Sequence, residues 1–240
     1  MITIVPLAGP DFMHPIMGIK PLWRVEGEPL LRRALESRPW WRGGLASQGA
    51  LVFVLRDSLE SRDFSGYLRD WYPDGRIVYL SSPTAGALMS ALAGAALAEP
   101  NDGPVCIDLV DLIFDGAFDI PALFAASSNL AAIVPYFESD EPSYSYLDLD
   151  ARGFVRQAAE KQRIASHASA GTYIFRDLSR FLQAAAFSIA TRDPGWLSGT
   201  LFVCPSVNGL IRMNFDVLGV PVTDVRSPGL IFKTKARARP

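Results

Sequence analysis

The sequence predicts an α/β protein in which helices cover both faces of a mostly parallel sheet. Short apolar runs recur along the first half of the chain, as buried strands do. Stretches with the apolar spacing of helices separate these runs, and the two kinds of stretch alternate. Ligands bind such sheets beyond the carboxyl ends of the strands, so the loops at that edge are expected to carry the function.

The first predicted strand covers residues 2–7 (ITIVPL), and Gly9 with Pro10 ends it because neither residue suits a strand interior. A lone lysine follows the loop, and then a helix begins at Pro29, since proline suits a first helical turn. The helix ends before Pro39. Its apolar face is formed by Leu30, Leu31, Ala34 and Leu35.

The next elements continue the alternation. Residues 50–55 (ALVFVL) form a second buried strand, and Asp57 with Glu60 is predicted to cap the helix that follows it. Residues 76–80 (RIVYL) and 104–110 (PVCIDLV) are the third and fourth strands. The residues of the capped helix predicted to face inward are Leu59, Tyr67, Leu68 and Trp71.

The pattern changes in the second half of the chain. Residues 130–137 (LAAIVPYF) form a strand, and residues 144–149 and 153–159 are predicted to pair as a hairpin. Residues 170–175 (AGTYIF) form another strand, after which Asp177 caps a helix. The second half is therefore predicted to be mixed rather than strictly parallel.

Composition limits the possible partners. A formal charge of -2, from 23 basic and 25 acidic side chains, gives no overall field that would attract nucleic acid or an anionic membrane. With 49% hydrophobic residues the chain has enough apolar surface for a sizeable core. No firm boundary divides it, so residues 1–240 are predicted to form one domain with halves at 1–128 and 129–240.

The most apolar segment, residues 85–98, belongs to a helix predicted from Ser82-Pro83 to Leu97. It is about four turns long, too short to cross a bilayer core of about 30 Å, so it is predicted to be a core helix. Cys106 and Cys204 lie in apolar runs and are predicted to be buried thiols. Since no secretory signal precedes the first strand, a cytoplasmic location is expected.

Eight short motifs occur in a characteristic order and spacing. They are PLAG at 6–9, KPLWRVEGEPLL at 20–31, SPTAGAL at 82–88, VCIDLVD at 105–111, SYLDLDARGFVRQAAEK at 145–161, SHASAGTYIF at 166–175, CPSVNGLI at 204–211 and TDVRSPGLI at 223–231. Together they resemble the sugar nucleotidyltransferases, the nucleotide-sugar pyrophosphorylases that join a sugar 1-phosphate to a nucleoside triphosphate. The resemblance covers most of the chain.

The resemblance implies a Rossmann-like nucleotidyltransferase fold of the GT-A-like type, with an additional β region in the second half. The first half would bind a nucleoside triphosphate and the second half a sugar 1-phosphate. The products would be pyrophosphate and a nucleotide sugar of the kind used in polysaccharide biosynthesis. A homo-oligomer is compatible with this class.

The resemblance also implies roles for individual residues. Lys20 would stand beside the transferring phosphate, and Lys161 would be the second catalytic cation, because charge on phosphate oxygens needs fixed positive groups. Glu160 would accept hydrogen bonds from sugar hydroxyls. The implied nucleotide-binding residues are Ala8, Gly9, Thr84 and Gly86, and the implied sugar-phosphate-binding residues are Glu160, Lys161, Gly171 and Thr172.

Two aspartates resemble the magnesium ligands of the family. Asp111 follows the fourth strand and Asp224 lies in TDVRSP, so the resemblance implies that both hold one Mg²⁺ that bridges the phosphates. Asp108 is a weaker candidate for a metal ligand, because it lies farther back on the same strand as Asp111.

The loop from Gly9 to Lys20 departs from the family pattern G-x-G-x-R. The second glycine is missing, Pro10 lacks an N–H, Asp11 adds a negative charge, and no arginine precedes Lys20. Two functions therefore stay open: a magnesium-dependent transferase, or a catalytically degenerate member that binds a nucleotide sugar or a sugar phosphate as a regulatory protein. A glycosyltransferase is a weaker third hypothesis, since its D-x-D motif is matched only by residues 148–150, a predicted hairpin edge.

Overall fold

The computed structural model describes residues 1–45, 50–99, 102–191, 196–197 and 199–227, so the motif predicted at 223–231 is described as far as Ser227. The strands of the first half are β1 (Ile2–Pro6), β2 (Met13–His14), β3 (Gly18–Ile19), β4 (Arg24–Val25), β5 (Glu28–Pro29), β6 (Leu51–Arg56), β7 (Arg76–Leu80), β8 (Val105–Asp108) and β9 (Ile113–Asp115). The strands of the second half are β10 (Leu130–Glu138), β11 (Ser145–Leu149), β12 (Val155–Glu160), β13 (His167–Ser169), β14 (Thr172–Phe175), β15 (Trp196–Leu197), β16 (Thr200–Leu201), β17 (Asp216–Pro221) and β18 (Thr223–Arg226).

The described helices are α1 (Leu30–Ser37), α2 (Pro39–Arg42), α3 (Leu59–Trp71), α4 (Ala87–Ala95), α5 (Ile120–Ala126), α6 (Leu178–Thr191) and α7 (Val207–Arg212). Short 3₁₀ turns at Pro10–Phe12 and Lys20–Leu22 flank the β2–β3 hairpin. No helix in the described ranges is long and apolar enough to cross a membrane.

Ten of the described strands form one sheet that joins the two halves of the chain. Its order is β12-β11-β13-β10-β14-β8-β1-β6-β7, with β17 paired to β10. β1 runs parallel to β6 and β8, and β6 runs parallel to β7, as predicted for the first half. β14 runs antiparallel to both β8 and β10, so the predicted mixed second half is also confirmed. The fold class is the predicted α/β class.

Helices cover both faces of the parallel part of the sheet. Ile2 and Ile4 of β1 pack with α4, whereas Val5 points to the opposite face and packs with α1 and α3. The contact with α4 is close, because a Cβ built on Gly94 would lie 2.6 Å from Cγ2 of Ile4. Strand alternation thus divides the core between the two faces.

Several local predictions are confirmed. β11 and β12 form the predicted antiparallel hairpin. Asp177 caps α6, since its carboxylate accepts a hydrogen bond of 2.8 Å from the Arg180 N–H. Cys106 and Cys204 are both buried thiols.

The predicted start of α3 is wrong. Ser58 is the capping residue and accepts a hydrogen bond of 3.3 Å from the Ser61 N–H. Asp57 lies one position too early and instead accepts from Arg62 at 2.7 Å. The predicted inward face is also partly wrong, because Leu68 is buried but Leu59 is 80% exposed and Tyr67 is 47% exposed.

The predicted bounds of the apolar helix are too wide. α4 begins at Ala87 rather than at Ser82, because Gly86 has a φ of 123° and cannot belong to a right-handed helix. Residues 82–86 form a turn instead, and α4 ends at Ala95 rather than at Leu97.

Candidate functional site

A cleft with two lobes opens beside the carboxyl ends of β1 and β8. The α4 lobe has a volume of about 610 Å³ and is lined by Ala8, Gly9, Thr84, Gly86, Ser90, Thr200 and Phe202, among others. The hairpin lobe has a volume of about 520 Å³ and is lined by Met13, His14, Met17, Trp23, Tyr144, Ser145, Gly171 and Tyr173, among others. The junction, where the lobes meet, consists of the residues that line both: Pro10, Asp11, Lys20, Leu109, Asp111, Ser143, Glu160 and Lys161.

Lys20 lies between two carboxylates in the junction. Its Nζ is 3.0 Å from Oδ2 of Asp11 and donates a second hydrogen bond to Oδ1 of Asp111. Burial of Lys20 opposes its charge, but the two carboxylates outweigh burial and raise the pKa of Lys20 above its usual value. Desolvation within the cleft raises the pKa of Asp111, against the opposing effect of the Lys20 charge. The predicted catalytic cation is therefore present in the cleft, already paired with acids.

A buried ion pair below the junction fixes the segment that carries Asp111. Arg38 donates from Nε and Nη2 to the two oxygens of Asp108, at 2.7 and 2.8 Å, and both side chains are almost fully buried. Arg38 also donates to the Leu112 carbonyl at 2.9 Å. The Val110 N–H donates to Asp108 at 2.9 Å, and Val110 has a φ of 51°, which is unusual for a β-branched residue.

Asp108 is therefore a structural residue rather than a weaker metal candidate, because its carboxylate is enclosed and fully bonded. Sequence reasoning missed Arg38. An arginine between the end of a helix and a proline has no special local pattern, and its partner lies 70 positions away. The one available signal was an aspartate inside the apolar run VCIDLV, which requires a buried partner.

Glu160 is the last residue of β12, and Lys161 follows it at the junction. Ser145, opposite Glu160 in the strand register, donates a hydrogen bond from its hydroxyl to the Glu160 carboxylate. Burial raises the pKa of Glu160. Lys161 has a φ of 50°, its N–H donates to the Tyr144 carbonyl at 3.1 Å, and its Nζ lies 5.1 Å from the ring centroid of Phe202. A carboxylate and an ammonium from consecutive residues thus both line the cleft.

The wall of the hairpin lobe beside β14 contains a hydrogen-bonded chain. The Ser169 hydroxyl accepts from the Gly171 N–H at 3.2 Å and donates to the Tyr173 hydroxyl at 2.9 Å. Gly171 has a φ of 73° and lines the lobe. The side chain of Thr172 is fully buried and does not line the cleft, and its hydroxyl has no hydrogen-bond partner within the described ranges. Strand alternation explains why Tyr173 lines the lobe and Thr172 does not, since neighbouring side chains of a strand point to opposite faces of the sheet.

The turn before α4 forms the far wall of the α4 lobe. Glycine is required at position 86, because a Cβ there would lie 2.3 Å from the Leu201 carbonyl oxygen. The Thr84 hydroxyl donates to the Gly86 carbonyl at 3.0 Å and lies 2.8 Å from the Ser90 hydroxyl. Ala8 and Gly9 lie at the other side of the lobe, at the end of β1. All four predicted nucleotide-binding residues thus line one cavity.

Asp224 is not brought to this cleft. β18 pairs with β9, and Asp224 lines a separate depression together with Arg33, Arg42 and Asp115. Asp111 and Asp224 thus line different cavities, and the magnesium site that the resemblance implies for these two residues stays a prediction. The described part of the chain contains no group of three or more histidines, cysteines or carboxylates that could hold a metal. Mg²⁺ often binds through one carboxylate together with the phosphates of a substrate, and Asp111 is the cleft residue that would supply that carboxylate.

Known structures share this fold. A nucleoside-diphosphate-sugar pyrophosphorylase from Vibrio cholerae has a TM-score of 0.78 and 17% identity over 98% of both chains. A Bacillus anthracis protein assigned as a glucose-1-phosphate thymidylyltransferase, in complex with a sucrose, has a TM-score of 0.70 and 17% identity over 100% of this chain and 95% of that one. A UDP-glucose pyrophosphorylase in complex with UDP-glucose has a TM-score of 0.67 and 15% identity over 93% and 92%. No protein-family model matches the sequence, and no curated protein matches it either.

Proposed function

We propose that this protein is a sugar-phosphate nucleotidyltransferase, which joins a sugar 1-phosphate to a nucleoside triphosphate and releases pyrophosphate. The observation that carries the proposal is the two-lobed cleft, because Lys20, Glu160 and Lys161 all lie at the junction of two cavities. Two substrates held in separate lobes would meet at that point. The shared fold with structures named as pyrophosphorylases and a thymidylyltransferase supports the same reaction type.

In this proposal the nucleotide occupies the α4 lobe, with its base near Thr84 and Gly86 and its phosphates near Lys20. The sugar phosphate occupies the hairpin lobe. A sugar-phosphate oxygen attacks the α-phosphorus in line, and the bond from that phosphorus to the bridging oxygen of the β-phosphate breaks. Pyrophosphate leaves with that oxygen, so no further reactant is needed.

Each junction side chain has a distinct task. Lys20 would neutralise charge that moves between phosphate oxygens, and Lys161 would bind the phosphate of the sugar. Glu160 would accept hydrogen bonds from sugar hydroxyls, for which Ser145 holds its carboxylate in place. Asp111 is the residue proposed to contact Mg²⁺, which when bound would neutralise phosphate charge.

The test is release of pyrophosphate by purified protein with a panel of nucleoside triphosphates and sugar 1-phosphates, with and without Mg²⁺. We expect release with at least one pair of substrates and a loss of about a thousandfold in the Lys20→Met variant. Arg42→Met is the matched control, since Arg42 is a cation outside the cleft. Absence of pyrophosphate release with every pair would contradict the proposal.

A second candidate is a binding or regulatory protein that has lost catalysis. The contact of Lys20 with both Asp11 and Asp111 favours it, as does the position of Asp224 outside the cleft. Calorimetric titration with nucleotide sugars separates the two functions. Binding without turnover supports the second candidate, whereas turnover excludes it. A cytoplasmic location and self-association remain proposals under either function.

A further inference from the structure

We propose that Asp11 determines which phosphate groups the cleft accepts, by disfavouring polyphosphates relative to a single phosphate group. This inference rests on the proposed function only in that the junction is where phosphates bind. It assigns a specificity-determining role to a loop residue that is not expected to take part in the chemistry.

The first argument is the position of the Asp11 carboxylate. Its Oδ2 lies 3.0 Å from Nζ of Lys20, so it holds the cation that a phosphate would need. A Cβ built on Gly9 would lie only 2.8 Å from the other oxygen, Oδ1. The carboxylate therefore stands directly over the backbone of Gly9 and beside Lys20, near which the phosphates are proposed to bind.

The second argument is the balance of charge in the junction. Three acids, Asp11, Asp111 and Glu160, face two ammonium groups, Lys20 and Lys161. With all five groups ionised the junction has one excess negative charge. A single phosphate can be held by Lys161, but a polyphosphate also needs Lys20, and like charges close together weaken binding strongly.

The third argument is that the Asp11 side chain can move out of the junction more easily than the side chain of Lys20 or Asp111. The Asp11 side chain is 70% exposed, against 47% for Asp111 and 18% for Lys20. Asp11 lies in the short 3₁₀ turn Pro10–Phe12, in which no residue is buried. A polyphosphate would thus displace Asp11 from Lys20. The free energy needed to break the Asp11–Lys20 ion pair would weaken polyphosphate binding.

The experiment is titration calorimetry of the full chain with inorganic tripolyphosphate, pyrophosphate and orthophosphate, without metal. We expect Asp11→Asn to bind tripolyphosphate at least about tenfold more tightly than the unaltered protein, with a smaller gain for pyrophosphate and little for orthophosphate. Asp57→Asn is the matched control, because it also removes a carboxylate that is paired with a basic side chain, Arg62, but outside the cleft. Its affinities should not change.

The proposal is overturned if Asp11→Asn binds tripolyphosphate no better than the unaltered protein, if neither binds it, or if Asp57→Asn gains as much. An unfolding midpoint for each variant shows that the titrated protein is folded. Because these titrations use no nucleotide and no sugar, a gain in Asp11→Asn stands even where no pyrophosphate release is found. Failure of the specificity proposal and failure of the transferase proposal are therefore distinguishable.

Discussion

Two aspartates three positions apart, Asp108 and Asp111, each pair with a basic side chain, yet their surroundings differ completely. Asp108 and Arg38 have side chains that are 0% and 1% exposed, and the pair is bidentate. Asp111 and Lys20 have side chains that are 47% and 18% exposed, and Lys20 is shared with Asp11. The first pair is enclosed within the fold, and the second pair opens into the cleft.

The two pairs therefore have different roles: the enclosed pair holds the backbone of the site, and the open pair is available to bind a ligand. The enclosed pair bonds the Val110 N–H and the Leu112 carbonyl, on both sides of Asp111 in sequence, so it fixes the backbone that carries this residue. The unusual φ of Val110 is maintained by these bonds. The open pair has single hydrogen bonds and access to solvent, which leaves it able to exchange partners with a ligand.

The largest expected effect comes from breaking the enclosed pair. Arg38→Met leaves the Asp108 carboxylate buried without its counter-charge, so the free energy of unfolding should fall by about 3 to 5 kcal/mol. Denaturant unfolding followed by fluorescence measures this change. The matched control is Arg42→Met, which removes an exposed partner of Asp115 and should cost less than about 1 kcal/mol. Equal losses in the two variants would show that enclosure does not distinguish the pairs.

Breaking the open pair should have a smaller effect on stability. Lys20→Met leaves Asp11 and Asp111 without their shared cation, but both side chains are partly exposed, at 70% and 47%, whereas Asp108 is fully enclosed. We expect the free energy of unfolding to fall by about 1 to 2 kcal/mol, less than in Arg38→Met. The same unfolding experiment compares them, and Lys20→Arg, which keeps the charge, should lose less than Lys20→Met. A loss in Lys20→Met as large as in Arg38→Met would contradict the distinction between the pairs.

The sequence predicts well what depends on local pattern. The strands near residues 2–7, 50–55, 76–80 and 104–110 are short apolar runs, and their parallel order places the following loops at one edge. The sequence could not predict contacts between residues that lie far apart along the chain. Arg38 acquires its role only from a partner 70 positions away, and Asp224 is directed away from Asp111 by the pairing of β18 with β9.

The positions of Leu59 and Tyr67 were wrongly predicted for a local reason. The buried face of α3 consists of Ser61, Phe64, Ser65 and Leu68, and at 3.6 residues per turn Leu59 lies on the opposite side of the helix from Leu68. Leu59 lies in the first turn of α3 and remains exposed.

The residues predicted for the site are found together, by contrast: Lys20, Asp111, Glu160 and Lys161 all line the junction. Their chemical roles stay predictions.

The smallest expected effect concerns Glu160, an acid of the junction that is buried enough for its pKa to be raised. A raised pKa means that the folded protein holds the proton more tightly than the unfolded chain, so ionisation of Glu160 lowers stability. This cost is absent below the usual glutamate pKa of about 4.3, grows as the pH rises, and is complete above the folded pKa. Glu160→Gln removes the cost, so at neutral pH this variant should be more stable than the unaltered protein, by less than the change expected in Lys20→Met.

The measurement for Glu160→Gln is the difference in free energy of unfolding from the unaltered protein across a pH series. We expect the stability advantage of the variant to increase from acidic to neutral pH and then to level off. Glu99→Gln is the control, because it removes the same charge from an exposed residue outside the cleft. A difference that does not change with pH would show that Glu160 is hydrated like a surface acid, and an advantage that shrinks as the pH rises would show that the fold lowers its pKa. In the first case solvent would reach the junction as far as the end of β12, and of these groups only the pair formed by Arg38 and Asp108 would be enclosed.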